Sequence, residues 1–156
     1  MTLPRTHSQE PISKARLRLW LKFIKTQGLI EAELRRRLRE DFDTTLPRFD
    51  VMSALSRAPK GLKMSEISGL LKVSNGNITG IVDRLTQDGL AIRVAVPGDR
   101  RAQMVCLTQA GQVTFNRWAS AHEKWVNTLL GDVDAQNLGE LQTLLDTMAN
   151  QFDTTE

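Results

Sequence analysis

The stretch from residue 63 to residue 108 constrains this chain more than any other. Met64 to Leu71 has apolar residues at helical spacing, and Lys72-Val73 leaves room only for a tight turn before the next helix. Ser74 is placed to cap that second helix, and Gly89 can take the left-handed conformation that ends it. Leu90 to Val96 then alternates and is rich in β-branched residues, which predicts a strand. Pro97-Gly98-Asp99-Arg100-Arg101 reads as a tight, cation-loaded turn, and Ala102 to Leu107 as the returning strand. Thr108 is placed to cap the helix that follows.

Two short helices followed by a basic hairpin form the plan of a winged helix-turn-helix. In that plan the second helix enters a major groove of double-stranded DNA, and the hairpin reaches phosphates or the adjacent minor groove. Ser74, Asn75, Asn77 and Thr79 offer short amides and hydroxyls suited to base edges and phosphates, and Gly76 and Gly80 leave room for close approach. Ser74 serves as an N-cap whether or not it meets DNA. Ile78, Ile81, Val82 and Leu85 face the core. On the hairpin, Arg101 is the first candidate for phosphate or minor-groove contact and Arg100 the second. A solvated hairpin tip is the ordinary alternative, since surface ion pairs stabilise little. Arg84 suits either the DNA backbone or an intramolecular pair.

Charge is divided along the chain rather than spread evenly. Residues 1–40 carry ten Lys or Arg against four acids, a net of +6, and residues 59–101 a net of +3. Residues 109–156 have a net of −5. Basic segments beside an acidic tail suit phosphate binding, although charge that merely follows exposed helix faces would look similar in the first helix.

Outside the helix-turn-helix the pattern is helical. Ile12 to Phe42 holds Trp20, Phe23, Ile24, Ile30, Leu34, Leu38 and Phe42 on one stripe, with Gly28 as a candidate bend. Thr44-Thr45-Leu46-Pro47 opens a helix that stops near Pro59-Lys60-Gly61. Thr108 to Leu130 has Phe115, Trp118, His122, Trp125, Val126 and Leu129 on one side, and a last helix carries Leu138, Leu141, Leu144, Leu145, Met148 and Phe152. One chain this small cannot hide all of these stripes. A homodimer would cover them, with Trp118, Trp125 and the Leu138-Leu141-Leu145 stripe at its interface, and two-fold symmetry suits a palindromic operator. The expected organisation is a flexible segment over residues 1–11, a helical dimerisation region over 12–43 and 109–156, and the DNA-binding region over 44–108. The fold class is mainly α with a small β-hairpin wing.

Other classes of function fare poorly. Of the two histidines, His7 lies near the chain start and His122 on an apolar face where a hydrogen-bonded core histidine is expected, so no catalytic triad assembles. One cysteine, Cys106, excludes an internal disulfide, and its position in the second wing strand disfavours a thiol sensor. No phosphate loop, metal site or cofactor motif is present. No apolar run approaches the roughly 18 residues of a membrane span, and Met1 to Pro11 lacks the apolar core of a secretory signal, so a cytoplasmic protein without membrane contact is expected.

Val73-Ser74-Asn75-Gly76-Asn77-Ile78-Thr79, then Val82-Asp83-Arg84-Leu85 and Asp88-Gly89-Leu90, followed by Asp99-Arg100-Arg101 and Leu107-Thr108, resemble the multiple antibiotic resistance regulator (MarR) family of transcription factors. The flanking helices fit as well, so the resemblance covers nearly the whole chain. It implies a dimeric repressor or activator that releases its operator when a small, often phenolic, ligand binds, and an ion pair in which Asp99 holds Arg101. Arg16-Leu17-Arg18-Leu19-Trp20 and Thr44-Thr45-Leu46-Pro47-Arg48-Phe49-Asp50 resemble the subgroup that controls aromatic-acid catabolism, some members of which answer to hydroxycinnamoyl-coenzyme A thioesters. On that reading Trp20, Phe23 and Phe49 would wall an aromatic slot, with Arg16, Arg18, Lys22 and Lys25 pairing with nucleotide phosphates. A free phenolic acid would need one cation such as Arg48, and the helix cations could equally serve only solvation or DNA attraction. A ligand-independent architectural DNA binder, or a helical adaptor that uses its wing for protein contact, are the rival classes.

Overall fold

The computed structural model describes residues 10–71 and 75–153, without the side chains of residues 75, 76 and 100. The elements run α1 (Ile12–Phe42), α2 (Leu46–Ser56), β1 (Leu62–Lys63), α3 (Met64–Leu71), α4 (Asn75–Gln87), β2 (Ala91–Val96), β3 (Asp99–Leu107), α5 (Gln109–Leu129) and α6 (Ala135–Asn150). Ser74 lies outside the described residues.

At 31 residues α1 is about 46 Å long, and it runs unbroken through Gly28. Only its C-terminal end is in the core, where Leu34 and Leu38 are buried. Asp43 then turns the chain with φ 50, and the Thr44 N–H donates to the Leu38 carbonyl. Thr45 accepts the Arg48 N–H in its hydroxyl and Pro47 sits in the first turn, so α2 is capped at once. Phe49, Val51, Met52 and Leu55 bury α2 against Ile67 of α3, Ile78, Val82 and Leu85 of α4, and Val105 of β3. Those apolar residues return every three or four positions along α4, which leaves its opposite face polar.

The sheet is antiparallel in the order β1-β3-β2. The sequence predicts a two-stranded hairpin. The two-residue β1, too short to leave a periodic signal, pairs Leu62 with Val105 and adds a third strand. Pro97 and Gly98, the latter with φ 82, make a two-residue turn, the combination a type II turn demands. Asp99, Arg100 and Arg101 therefore belong to β3 rather than to the turn. Pairing passes from Val96↔Asp99 to Ala95↔Gln103, so residues 100–102 bulge out of the ladder.

The hairpin is closed by one residue. Thr108 donates its N–H to the Leu90 carbonyl (3.1 Å) and its hydroxyl to the Gly89 carbonyl (2.7 Å), while that hydroxyl accepts the Gly111 N–H and caps α5 (2.9 Å). Gly111 lies against Leu90 so closely that an added Cβ would stand 1.9 Å from the Leu90 carbonyl oxygen.

Aromatic side chains join the two ends of the fold. Phe42 lies 6.0 Å from Trp118 and 5.9 Å from Trp125, and Phe49 lies 5.5 Å from Phe115. Trp118 and Trp125, expected at a dimer interface, are thus buried in the core of their own chain. α6 ends at Asn150, short of Phe152, and buries none of its residues. No helix among the described residues is long and apolar enough to cross a membrane.

Replacing Gly111 by Ala forces the start of α5 away from Leu90. We expect a loss of about 3 kcal/mol in denaturant unfolding, at the upper end of overpacking costs, and an unchanged midpoint would refute the contact.

Candidate nucleic-acid interface

α4 presents Asn77, Thr79, Gly80, Asp83 and Arg84 to solvent, while Ile78, Val82 and Leu85 hold its other face in the core. Asn77, Gly80 and Arg84 fall within about 60° of one another around the helix, at 100° per residue, and so form one stripe. Arg84 makes no ion pair among the described residues, which resolves its two sequence readings toward an open cation. Asn77 and Thr79 each have a partner within the chain.

Two charged braces hold this helix. Arg93 of β2 donates to Asp83 at 2.6 Å. Arg48 of α2 donates to Asp88, just past the end of α4, also at 2.6 Å. The second brace turns Arg48, whose side chain is only 15% exposed, toward Asp88 rather than leaving it free for a ligand carboxylate, although its buried Nε–H has no partner among the described residues.

The wing departs from the expected ion pair. Asp99 accepts the backbone N–H of Arg101 at 3.0 Å, and the Arg101 side chain pairs with no acid among the described residues. One residue separates these groups, and the bulge makes the backbone amide the nearer donor. Arg101 thus stands exposed on the bulge with its charge uncommitted.

The proposed ligand residues divide into two sets. Arg16, Lys22 and Lys25 are exposed on α1 and unpaired among the described residues, whereas Arg18 is tied to Glu10. Trp20 and Phe23 line a groove of about 540 Å³ with Leu145, Met148 and Phe152. Phe49 does not join them. It is 6% exposed and stacked on His122 at 4.6 Å, so no aromatic slot forms from all three. His122 makes no hydrogen bond to a described residue, contrary to expectation, and burial holds its imidazole below the ordinary histidine range.

A larger cleft of about 820 Å³ runs between α1, the start of α2 and α6, lined by Phe23, Ile30, Leu34, Leu46, Leu141 and Leu145. Asp50 and Glu31 are the acids among these apolar walls. Burial raises the Asp50 carboxyl, Arg35 draws it down and Glu31 pushes it up. Sequence reasoning passed over Asp50 as a site residue, although an acid between Phe49 and Val51 in an apolar run was a visible signal.

Among known proteins, the chain matches the MarR family model over residues 42–102. It is 31% identical over 99 residues to the HTH-type transcriptional regulator PecS of Dickeya dadantii, covering 62% of this chain and 60% of PecS. It is 30% identical over 70 residues to the homoprotocatechuate degradative operon repressor of Escherichia coli, covering 45% of this chain and 47% of the repressor. The matched stretch thus spans less than two thirds of either curated relative. The crystal structure of a MarR family transcriptional regulator from Silicibacter pomeroyi superposes with a TM-score of 0.77 at 32% identity, over 93% of this chain and 100% of that one.

Proposed function

The chain belongs to the MarR family of transcriptional regulators, and we propose that it acts as a dimeric repressor which holds a palindromic operator and releases it when a small aromatic effector binds. The observation that carries the DNA reading is the polar face of α4, with Asn77, Thr79 and Arg84 exposed, beside a wing whose Arg101 has no acidic partner among the described residues. The helix would read base edges while Arg101 neutralises phosphate or enters the minor groove. Asp99 orders the bulge that presents Arg101. Arg100, Asn75 and Ser74 complete the proposed contact set.

Dimerisation is supported by what the single chain leaves uncovered. Trp20 is 59% exposed and Leu144 58%, and Leu17, Leu21, Ile24, Leu141 and Leu145 are exposed alongside them. Apolar area on this scale at the two ends of one molecule exceeds what a monomer ordinarily shows. A second copy, pairing residues 12–43 and 109–156 with their equivalents, would cover it with two-fold symmetry and set two α4 helices one helical turn of DNA apart.

For the effector we favour an aromatic acyl-coenzyme A thioester such as p-coumaroyl-CoA, with its acyl group in the cleft beside Trp20 and Phe23 and its phosphates on Arg16, Lys22 and Lys25. That these three cations make no ion pair among the described residues supports this choice. A sensor of free phenolic acid would have used Arg48, which Asp88 already holds. The similarity to a homoprotocatechuate operon repressor supports the aromatic class.

Three outcomes are expected. On a fragment selected from random duplex DNA, Asn77→Ala relaxes sequence preference at a cost on the order of 1–3 kcal/mol, whereas Arg101→Ala weakens all sequences and flattens the salt dependence; unchanged binding in both variants would remove the interface. Leu141→Glu with Leu145→Glu converts a sedimenting dimer to monomers with weak half-site binding, and a persistent tight dimer would displace the interface from α6. Titrating the DNA complex with p-coumaroyl-CoA releases it, while the free acid and coenzyme A alone do not, and release is impaired in Arg16→Ala with Lys22→Ala. Release by the free acid alone would reverse the effector choice, and DNA bound with little sequence preference, bent and indifferent to every effector would favour the architectural reading.

A further inference from the structure

A pocket of about 430 Å³ opens where the end of α1, the first turn of α2 and α4 meet. Its walls combine Arg35, Arg39, Thr44 and Thr45 with Leu46, and Asn77 of α4 stands at its edge. Every polar contribution to it favours an anion. Arg39 is exposed and pairs with no acid among the described residues, whereas Arg35 is paired with Glu31 at 2.6 Å. The N-terminus of α2, an 11-residue helix, ends here and supplies the positive end of its dipole. The Thr45 hydroxyl accepts the Arg48 N–H, so its own proton remains to be donated. Thr44 is only 3% exposed, and its hydroxyl oxygen has no hydrogen-bond partner.

We propose that this pocket seats one backbone phosphate of bound DNA, with Arg39 as counter-charge and the hydroxyls of Thr44 and Thr45 as hydrogen-bond donors. Asn77 carries the argument from anion to DNA phosphate. It belongs both to this pocket and to the exposed stripe of α4, so a duplex held on that stripe runs one of its strands past the pocket mouth. The apolar wall of Leu46, Pro47 and Ile81 suits the face of the adjoining deoxyribose. Gripping the duplex beside α4 would fix how the helix enters the groove without reading any base.

This inference rests on the DNA-binding reading, and its test separates the two. Binding of the selected fragment is measured across a salt series for wild type, Arg39→Ala, Arg39→Lys, Asn77→Ala and Arg101→Ala. Arg39→Ala is expected to lose about tenfold in affinity on every sequence and to flatten the salt slope by about 0.9 for each phosphate released. Arg39→Lys keeps the charge and stays within about threefold of wild type. Replacing single phosphates by uncharged methylphosphonates should identify one position at which wild type weakens and Arg39→Ala weakens no further. Because Arg39 is exposed on a long helix, Arg39→Ala should unfold at the wild-type temperature. If Asn77→Ala and Arg101→Ala impair binding while Arg39→Ala leaves affinity and slope unchanged, this inference falls alone. If Arg39→Ala abolishes only the response to a free organic acid, the pocket belongs to a small carboxylate and the inference is overturned. Wild type that binds no duplex overturns both readings.

Discussion

The junction of Gly89, Leu90, Thr108 and Gly111 holds the molecule to one shape. A single threonine satisfies two carbonyls at the end of the α4 turn and one amide at the start of α5, and the absence of a side chain at residue 111 lets the two segments touch. The strands of the wing leave and return through this point. The tilt of the hairpin relative to α4 is therefore set by the backbone amide and the hydroxyl of one threonine, which together bond three backbone groups. The braces Arg93–Asp83 and Arg48–Asp88 then fix the rotation of α4 against the sheet and against α2.

A second constraint is the mismatch between the apolar surface this chain carries and the amount it can bury. The core around Leu38, Met52, Ile67, Ile78 and Val105 is closed, and Trp118 and Trp125 complete it against Phe42. Among the described residues nothing comparable closes over the first half of α1 or over α6. The fold has one finished core and two exposed apolar faces, and these faces adjoin the 820 Å³ cleft. Whatever completes those faces also shapes the walls of that cleft.

Much of this was legible in the chain. α1 and its bounds follow from an unbroken stripe, α2 from Thr45 and Pro47, and the hairpin from Pro97-Gly98 between alternating runs, because in each case neighbours in sequence decide the outcome. Contacts between distant residues were less legible. Phe49 and Arg48 read as ligand groups because their chemistry suits one, yet His122 and Asp88, 73 and 40 residues away, claim them. Asp99 and Arg101 failed to pair as side chains because the bulge, a property of strand register, places an amide nearer. The pocket at Arg39 and Thr44 combines residues from three helices, and no local spacing announces it.

The position of α2 has a consequence for coupling between sites. Its first turn lines the large cleft through Leu46 and Asp50, and its Arg48 is fastened to the turn at the end of α4. One rigid helix of three turns therefore borders both the cleft and the polar face of α4. In thermodynamic terms any coupling carried by α2 is reciprocal: whatever free energy occupancy of one site contributes to the other is returned in equal measure. If a ligand in the cleft drives α2 in a direction that loosens α4 on DNA, then DNA, by the same amount, loosens the ligand.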